Sequence, residues 1–321
     1  MSGPPEAPRV APPGPGDLTV AVCSRDRGDL LRRCLAQIAR VTPAQVEVLV
    51  VDSGSRTRAT LDVAAAAGVR AVRSDTPGLS IARNLALASS DRPFVLFTDD
   101  DCLAVDGWTG AVLGWFADPA VVAVTGRMLD HTLVGVPDLA PARVRHLTRA
   151  VEGIDAGHGA LMAFRRERLR ALGGFDDVLG AGRRLAGAED LDMLCRVLAA
   201  GGVVVRDEAS VVHHANTREG ADHTDLYRGY GRGLGALVAK WLRLRPATGL
   251  TLGAIVARRA MLRWLRARAD RREGAAQLAL LAGALSGWRE ARRTPLVAGR
   301  FVDQAPPAPV TLPTPQGVAD A

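Results

Sequence analysis

The chain has 321 residues, 48% of them hydrophobic and 23% charged, with a formal net charge of +7; this is enough apolar content for a core and excludes a disordered protein. The length admits one large α/β domain or two small ones. The charge is uneven: Lys240 to Arg300 holds 14 Lys/Arg against three acids, a local +11, which leaves residues 1–239 at about −2, so the basic character belongs to a C-terminal segment.

Arg, Ala and Gly are abundant and Lys is nearly absent, a bias of genomic composition. Cys23, Cys34, Cys102 and Cys195 are far apart and form no CxxC pair, so neither a zinc site nor a disulfide framework is indicated and a reducing, cytoplasmic location is expected. Residues 1–16 are Pro/Gly-rich without an apolar core segment; they read as a disordered arm and not as a signal peptide.

The first predicted strand is Leu18–Cys23, running into Ser24-Arg25-Asp26-Arg27. A helix follows, with Leu30, Leu31, Cys34, Leu35 and Ile38 on one face. Val46–Val51 is a second strand and ends at Asp52-Ser53-Gly54-Ser55, where Asp52 reads either as a turn or cap residue or as a carboxylate at a strand's carboxyl end. A helix over 59–67 and a short strand over 69–73 continue a β-α-β-α alternation, which predicts a parallel sheet with right-handed crossovers. No GxGxxG follows the first strand, which weighs against a dinucleotide oxidoreductase.

Gly78-Leu79-Ser80 opens the next helix, with Ser80 as the expected N-cap and Arg83 in the first turn, either near an anion or on a solvated face. That helix leads to Phe94-Val95-Leu96-Phe97-Thr98, an apolar run with no helical period that reads as a strand buried on both faces. It stops at Asp99-Asp100-Asp101. Three adjacent acids are either an Asp-rich turn or oxygen ligands for Mg²⁺ or Mn²⁺ at the edge where open α/β sheets bind ligands. A helix from Gly107-Trp108 and a strand over 121–125 come next, and residues 130–150 carry little periodic signal. Gly159–Phe164 is a predicted strand and Arg165–Leu172 a short helix. Glu189-Asp190-Leu191-Asp192 starts a helix, where the acids either serve the helix dipole or do chemistry. Strand character over 203–205 and 209–212 ends at His213-His214.

In this order and at this spacing, the pieces resemble a family 2 glycosyltransferase, an inverting enzyme of the GT-A nucleotide-sugar fold, over roughly residues 18–240. The resemblance rests on Ser24-Arg25-Asp26-Arg27, Val51-Asp52-Ser53-Gly54, Ala82-Arg83-Asn84, Asp99-Asp100-Asp101, Gly173-Gly174-Phe175-Asp176, Glu189-Asp190 and His213. It implies an α/β fold with a mostly parallel central sheet flanked by helices and a C-terminal helical extension. Donor contacts would come from Ser24, Arg25, Asp52, Arg83, Asp99 and Asp100, with Asp52 and Asp99 on the nucleoside. Asp101 would be the metal ligand, with His213 preferred over His214 as the second. Asp190 would be the general base and Glu189 would help to place the acceptor. Leu161 and Ala188 stand where relatives often have Asn and Gly.

The chemistry asks for these residue types. A leaving nucleoside diphosphate needs its charge neutralised, and an attacking hydroxyl must lose its proton to a carboxylate on the opposite face of the sugar. The expected organisation is an arm over 1–16, a catalytic domain over 17–225, a basic amphipathic helical extension over 226–300 and a disordered tail over 301–321. Arg alternating with Leu and Trp in the extension reads either as helices on the catalytic domain or as a peripheral contact with an anionic membrane, at the inner face of the cell membrane. The longest apolar run is too short to span one. A nucleic-acid partner is not expected. The expected partners are a nucleotide-sugar donor and a glycan or lipid-linked acceptor. The rivals are a nucleotidyltransferase and a non-catalytic sugar-nucleotide or glycan-binding module.

Overall fold

The computed structural model describes residues 12–135, 141–215, 220–267 and 270–312. The β-α alternation of the first hundred residues folds as its pattern dictates. Strands β1 (Leu18–Ser24), β2 (Glu47–Ser53), β3 (Arg70–Ser74) and β4 (Phe94–Asp99) pair in parallel in the order β3-β2-β1-β4, joined by helices α1 (Gly28–Val41), α2 (Ala59–Ala66) and α3 (Leu79–Ser89). Side chains of β4 alternate between the two faces, as the two-residue period of a strand requires. Phe94 and Leu96 pack with Leu31, Ile38 and Trp108 on one side, and Val95 and Phe97 with Leu87, Phe164 and Phe175 on the other. Each large apolar side chain buried this way contributes roughly 1.5–3 kcal/mol.

The second half is mixed, not parallel. Its elements are β5 (Cys102–Ala104), α4 (Trp108–Trp115), β6 (Val121–Asp130), β7 (Val144–Leu147), β8 (Met162–Arg165), α5 (Arg166–Ala171), α6 (Glu189–Ala199) and β9 (Val203–His214). β8 enters antiparallel between β4 and β6, β9 is parallel to β6, and β5 and β7 lie antiparallel on β9. Among the described residues, β7 and the Ala150–Asp155 turn precede β8 and no crossover helix does, so nothing forces it parallel. The two stretches of strand character before His213-His214 are one strand whose register against β6 shifts between Thr125 and Arg127.

Two local expectations change. The N-cap of α3 is Gly78, and Ser80 instead donates from Oγ to the Leu179 carbonyl at 2.8 Å. The strand expected from Gly159 begins at Met162, because Gly157 and Gly159 belong to a turn whose glycines sit against Thr125 and the Arg83 guanidinium. Cys23, Cys34, Cys102 and Cys195 are all buried and free.

Helices α7 (Gly220–Leu244), α8 (Pro246–Ala267) and α9 (Arg271–Ala291) follow, with a small hairpin of β10 (Leu296–Val297) and β11 (Arg300–Phe301). The expected boundary at 225/226 falls inside α7. α7 and α9 run parallel in close contact: a Cβ on Gly231 or Gly235 would strike the carbonyls of Leu280 and Ala284, and one on Gly283 or Gly287 those of Arg228 and Arg232. The extension is tied to the sheet by Lys240 of α7. Its Nζ is fully buried, 2.8 Å from Asp176 Oδ2 and 2.8 Å from Asp192 Oδ2.

Of the expected arm, residues 1–11 lie outside the described residues; of the expected tail, residues 313–321 do. Residues 301–312 run back over the catalytic domain. Phe301 N–H donates to Asp176 Oδ2 at 2.7 Å, Asp303 pairs with Arg183, and Val310 N–H donates to the Asp75 carbonyl at 2.8 Å.

Candidate active site

The site forms where β1, β2 and β4 end and the N-terminus of α6 meets them. Asp99 closes β4, Asp100 and Asp101 make the turn, and Cys102 begins β5. The middle acid points inward. Asp100 is 4% exposed and accepts from Ser24 Oγ at 2.7 Å and Arg27 Nη1 at 2.9 Å. Burial pushes its carboxyl up to about 6, against the pull of Ser24 and Arg27. Asp100 therefore locks the turn to the end of β1, and Ser24 is used in that lock. Arg25, the other expected donor contact in this motif, is exposed and approaches Asp26 at 4.0 Å, away from the triplet.

Asp101 takes Arg27 Nη1 on Oδ2 at 2.8 Å, while its Oδ1 is buried without a hydrogen-bond partner and lies 3.3 Å from His214 Nε2. One ligand atom each from Asp99, Asp101 and His214 falls within 4.8 Å of the others. Two carboxylates and an imidazole around an unpartnered buried oxygen are a donor set that fits Mg²⁺ or Mn²⁺.

His213 is not part of this cluster, which corrects the preference for it. β5 pairs with β9 so that Cys102 faces His214 and Leu103 faces His213. Successive residues on a strand point to opposite faces, so only one of the doublet can meet Asp101. The His213 imidazole is instead buried near Asp130 and His131, its Nε2 unpartnered, and burial lowers its pKa.

Arg83 is the hub between the acid triplet and α6. Its side chain is 2% exposed; it donates to Glu189 Oε1 at 2.8 Å and to the Gly159 carbonyl at 3.2 Å, lies 3.5 Å from Asp99 Oδ1, and stacks over Phe97 and Phe175. Burial and the adjacent Asp190 push Glu189 up to about 7, against Arg83. Asp190 is half-buried, and its two oxygens accept the N–H groups of Gly159 and Leu191, each at 2.8 Å. The residue before this pair, Ala188, has φ 60 and ψ 15, a left-handed conformation that favours Gly.

Asp52 is fully buried and does not present a free carboxylate to the cleft. Ser55 N–H donates to its Oδ1 and Arg73 pairs with its Oδ2; Arg73 also reaches Asp75 and the Val310 carbonyl. Leu161, 1% exposed, packs on Gly126 inside the sheet.

Arg73 and the Val310 segment were not singled out in the sequence, and Arg27 stood there only as the last residue of the Ser24-Arg25-Asp26-Arg27 motif, with no role assigned. A charge three residues past β1 was the only local signal for Arg27, and Arg73 looks like any arginine on an edge strand.

A mixed sheet with an Asp-x-Asp turn at the end of its fourth strand and helices on both faces is the GT-A fold. The mannosyltransferase PcManGT from Pyrobaculum calidifontis, solved with GDP-Man and Mn²⁺, matches with a TM-score of 0.60 at 23% identity over 85% of this chain and 87% of that one. GalNAc-T7, solved with UDP, GalNAc and Mn²⁺, matches with a TM-score of 0.53 at 16% identity over 72% of this chain and 50% of that one.

Residues 19–167 match the model of glycosyl transferase family 2. The pre-mycofactocin glycosyltransferase of Mycobacterium tuberculosis is 27% identical over 223 residues, 63% of this chain and 44% of that protein. The chain thus spans under half the length of that relative.

Proposed function

We propose that this chain is a metal-dependent, inverting glycosyltransferase. It moves a hexosyl or deoxyhexosyl group from a nucleoside diphosphate to a hydroxyl on a lipid-linked or cell-envelope glycan. The observation that carries this reading is the pairing of two acidic centres through one buried arginine: Asp99, Asp101 and His214 on one side of Arg83, and Glu189 with Asp190 on the other.

Asp101 and His214, with Asp99 beside them, would hold a divalent cation, which would supply charge neutralisation at the departing diphosphate. The protein's own groups do the rest. Asp190, held by the Gly159 and Leu191 N–H groups, accepts the proton of the attacking hydroxyl, and one base suffices for a single displacement with inversion. Glu189 positions the acceptor from a carboxyl that Arg83 orients. Asp99 lies toward the ribose. Asp52 acts on the nucleoside side through Arg73 and the 52–55 turn, because its own oxygens are occupied.

The nucleotidyltransferase reading needs a basic loop after β1 that offers itself to phosphate. Ser24 Oγ and Arg27 Nη1 donate to Asp100 and Asp101 and so face the acids of the turn, which disfavours it. Product analysis tests the choice: nucleoside diphosphate is expected and pyrophosphate would support the rival. Asp190→Asn should lower kcat by about 10²–10⁴-fold with donor affinity kept, whereas a binding module would show no difference.

A further inference from the structure

Helix α8, Pro246–Ala267, contains no Asp or Glu and four arginines, Arg258, Arg259, Arg263 and Arg266. Its inner face is settled. Leu252 and Ala260 are buried, Ile255 and Val256 pack with Leu237, Trp241 and Ile154, and Arg259 donates to Asp155 at 2.6 Å. The outer face is apolar where a soluble helix would be polar. Leu250 is 67% exposed, Met261 56%, Leu265 42% and Leu262 40%. On a helical projection Leu250, Met261 and Leu265 fall with Ala254 and Ala257 in an arc of about 80°, and Arg258, Arg263 and Arg266, all exposed, lie outside it.

α9 repeats the pattern independently. Leu278, Leu281 and Leu285 form one exposed stripe at i, i+3, i+7, between the exposed Arg272 and Arg289. The acids of α9 are engaged: Glu273 faces His223, and Glu290 pairs with Arg184 and Arg232. Among the described residues, α8 and α9 thus supply seven of the 14 exposed large apolar side chains, beside exposed arginines that outnumber the one exposed acid there, Asp270, which caps α9.

We propose that the outer faces of α8 and α9 lie in the interface of an anionic lipid bilayer, Leu and Met in the acyl boundary and Arg at the headgroups. This deepens the lipid-linked acceptor of the proposed function and rests on it. Arginine flanking an apolar arc matches anionic headgroups over hydrocarbon. A second copy on the same face would set arginine-rich surfaces against each other, which is unfavourable in a two-fold interface. No described helix is long and apolar enough to cross a membrane, so the contact is peripheral. The surface is also coupled to the site. α8 braces the Ala150–Asp155 turn through Ile154 and Asp155, and the chain runs from that turn to Gly159, whose N–H holds Asp190.

Flotation of the full chain with vesicles tests this. Binding to phosphatidylglycerol/phosphatidylcholine vesicles should be at least tenfold tighter than to phosphatidylcholine alone, and each of Arg258→Ala, Arg263→Ala and Arg266→Ala should weaken it about fivefold. Met261→Glu/Leu265→Glu should abolish flotation while leaving the melting temperature and nucleoside diphosphate release with a water-soluble acceptor unchanged. Equal binding to neutral vesicles, flotation of the double variant, or a stable dimer in which these residues are protected would overturn the proposal. Flotation reads lipid contact without sugar transfer and the soluble assay reads transfer without lipid, so failure of one is separable from failure of the other.

Discussion

Arg83 Nη1 donates to Glu189 Oε1 at 2.8 Å, across 106 residues of sequence, and so joins α3 to α6 at the floor of the cleft. Glu189 is buried beside Asp190, which raises its carboxyl to about 7 even with Arg83 in contact. A carboxyl raised above its ordinary 4.5 binds protons more tightly folded than unfolded. Stability should therefore fall as pH rises from about 4.5 to about 7, and Glu189→Gln should flatten that part of the profile in urea unfolding at a series of pH values. An unchanged slope would assign the dependence to other groups.

The alternation of β9 separates the two histidines. His214→Ala should weaken Mn²⁺-supported donor binding by about 10–100-fold, the range seen when a group around a metal site is removed. His213→Ala should leave it within about twofold and act only on stability. Titration calorimetry of donor nucleotide with and without Mn²⁺ distinguishes the pair; equal losses would mean that the Asp99–Asp101–His214 cluster does not hold the cation.

Ala188 occupies a left-handed conformation immediately before the proposed base. A Cβ there costs about 1 kcal/mol or more relative to glycine. Ala188→Gly should therefore stabilise the protein by about 1 kcal/mol in denaturant unfolding, with kcat unchanged within a few-fold because no carboxylate moves.

Lys240 is the only lysine in the sequence, and it lies fully buried between Asp176 and Asp192. Lys240→Met would leave both carboxylates without that cation and should cost about 3–5 kcal/mol. Because Asp176 also receives the Phe301 N–H, the extension and the catalytic sheet should melt together, in one calorimetric transition at lower temperature.

The sequence by itself determined the β-α order of the first hundred residues, the double-sided burial of β4 and the arrival of acids at strand and helix ends. Each of these is written in local hydrophobic period and turn chemistry, which need no distant partner. Tertiary structure alone decided how each acid is held. Asp99, Asp100 and Asp101 are chemically identical, and only the approach of Ser24 and Arg27 turns Asp100 inward and leaves an oxygen of Asp101 free. His214, and not His213, stands beside Asp101 because strand register against β5 fixes which neighbour faces the cleft, and a shift of one residue reverses every side chain. Asp52 reads as a ligand until Arg73 and Ser55 fill its oxygens. Partners separated by tens of residues leave no periodic trace, so the sequence supplies the charged groups and the fold decides which of them remain unpaired for chemistry.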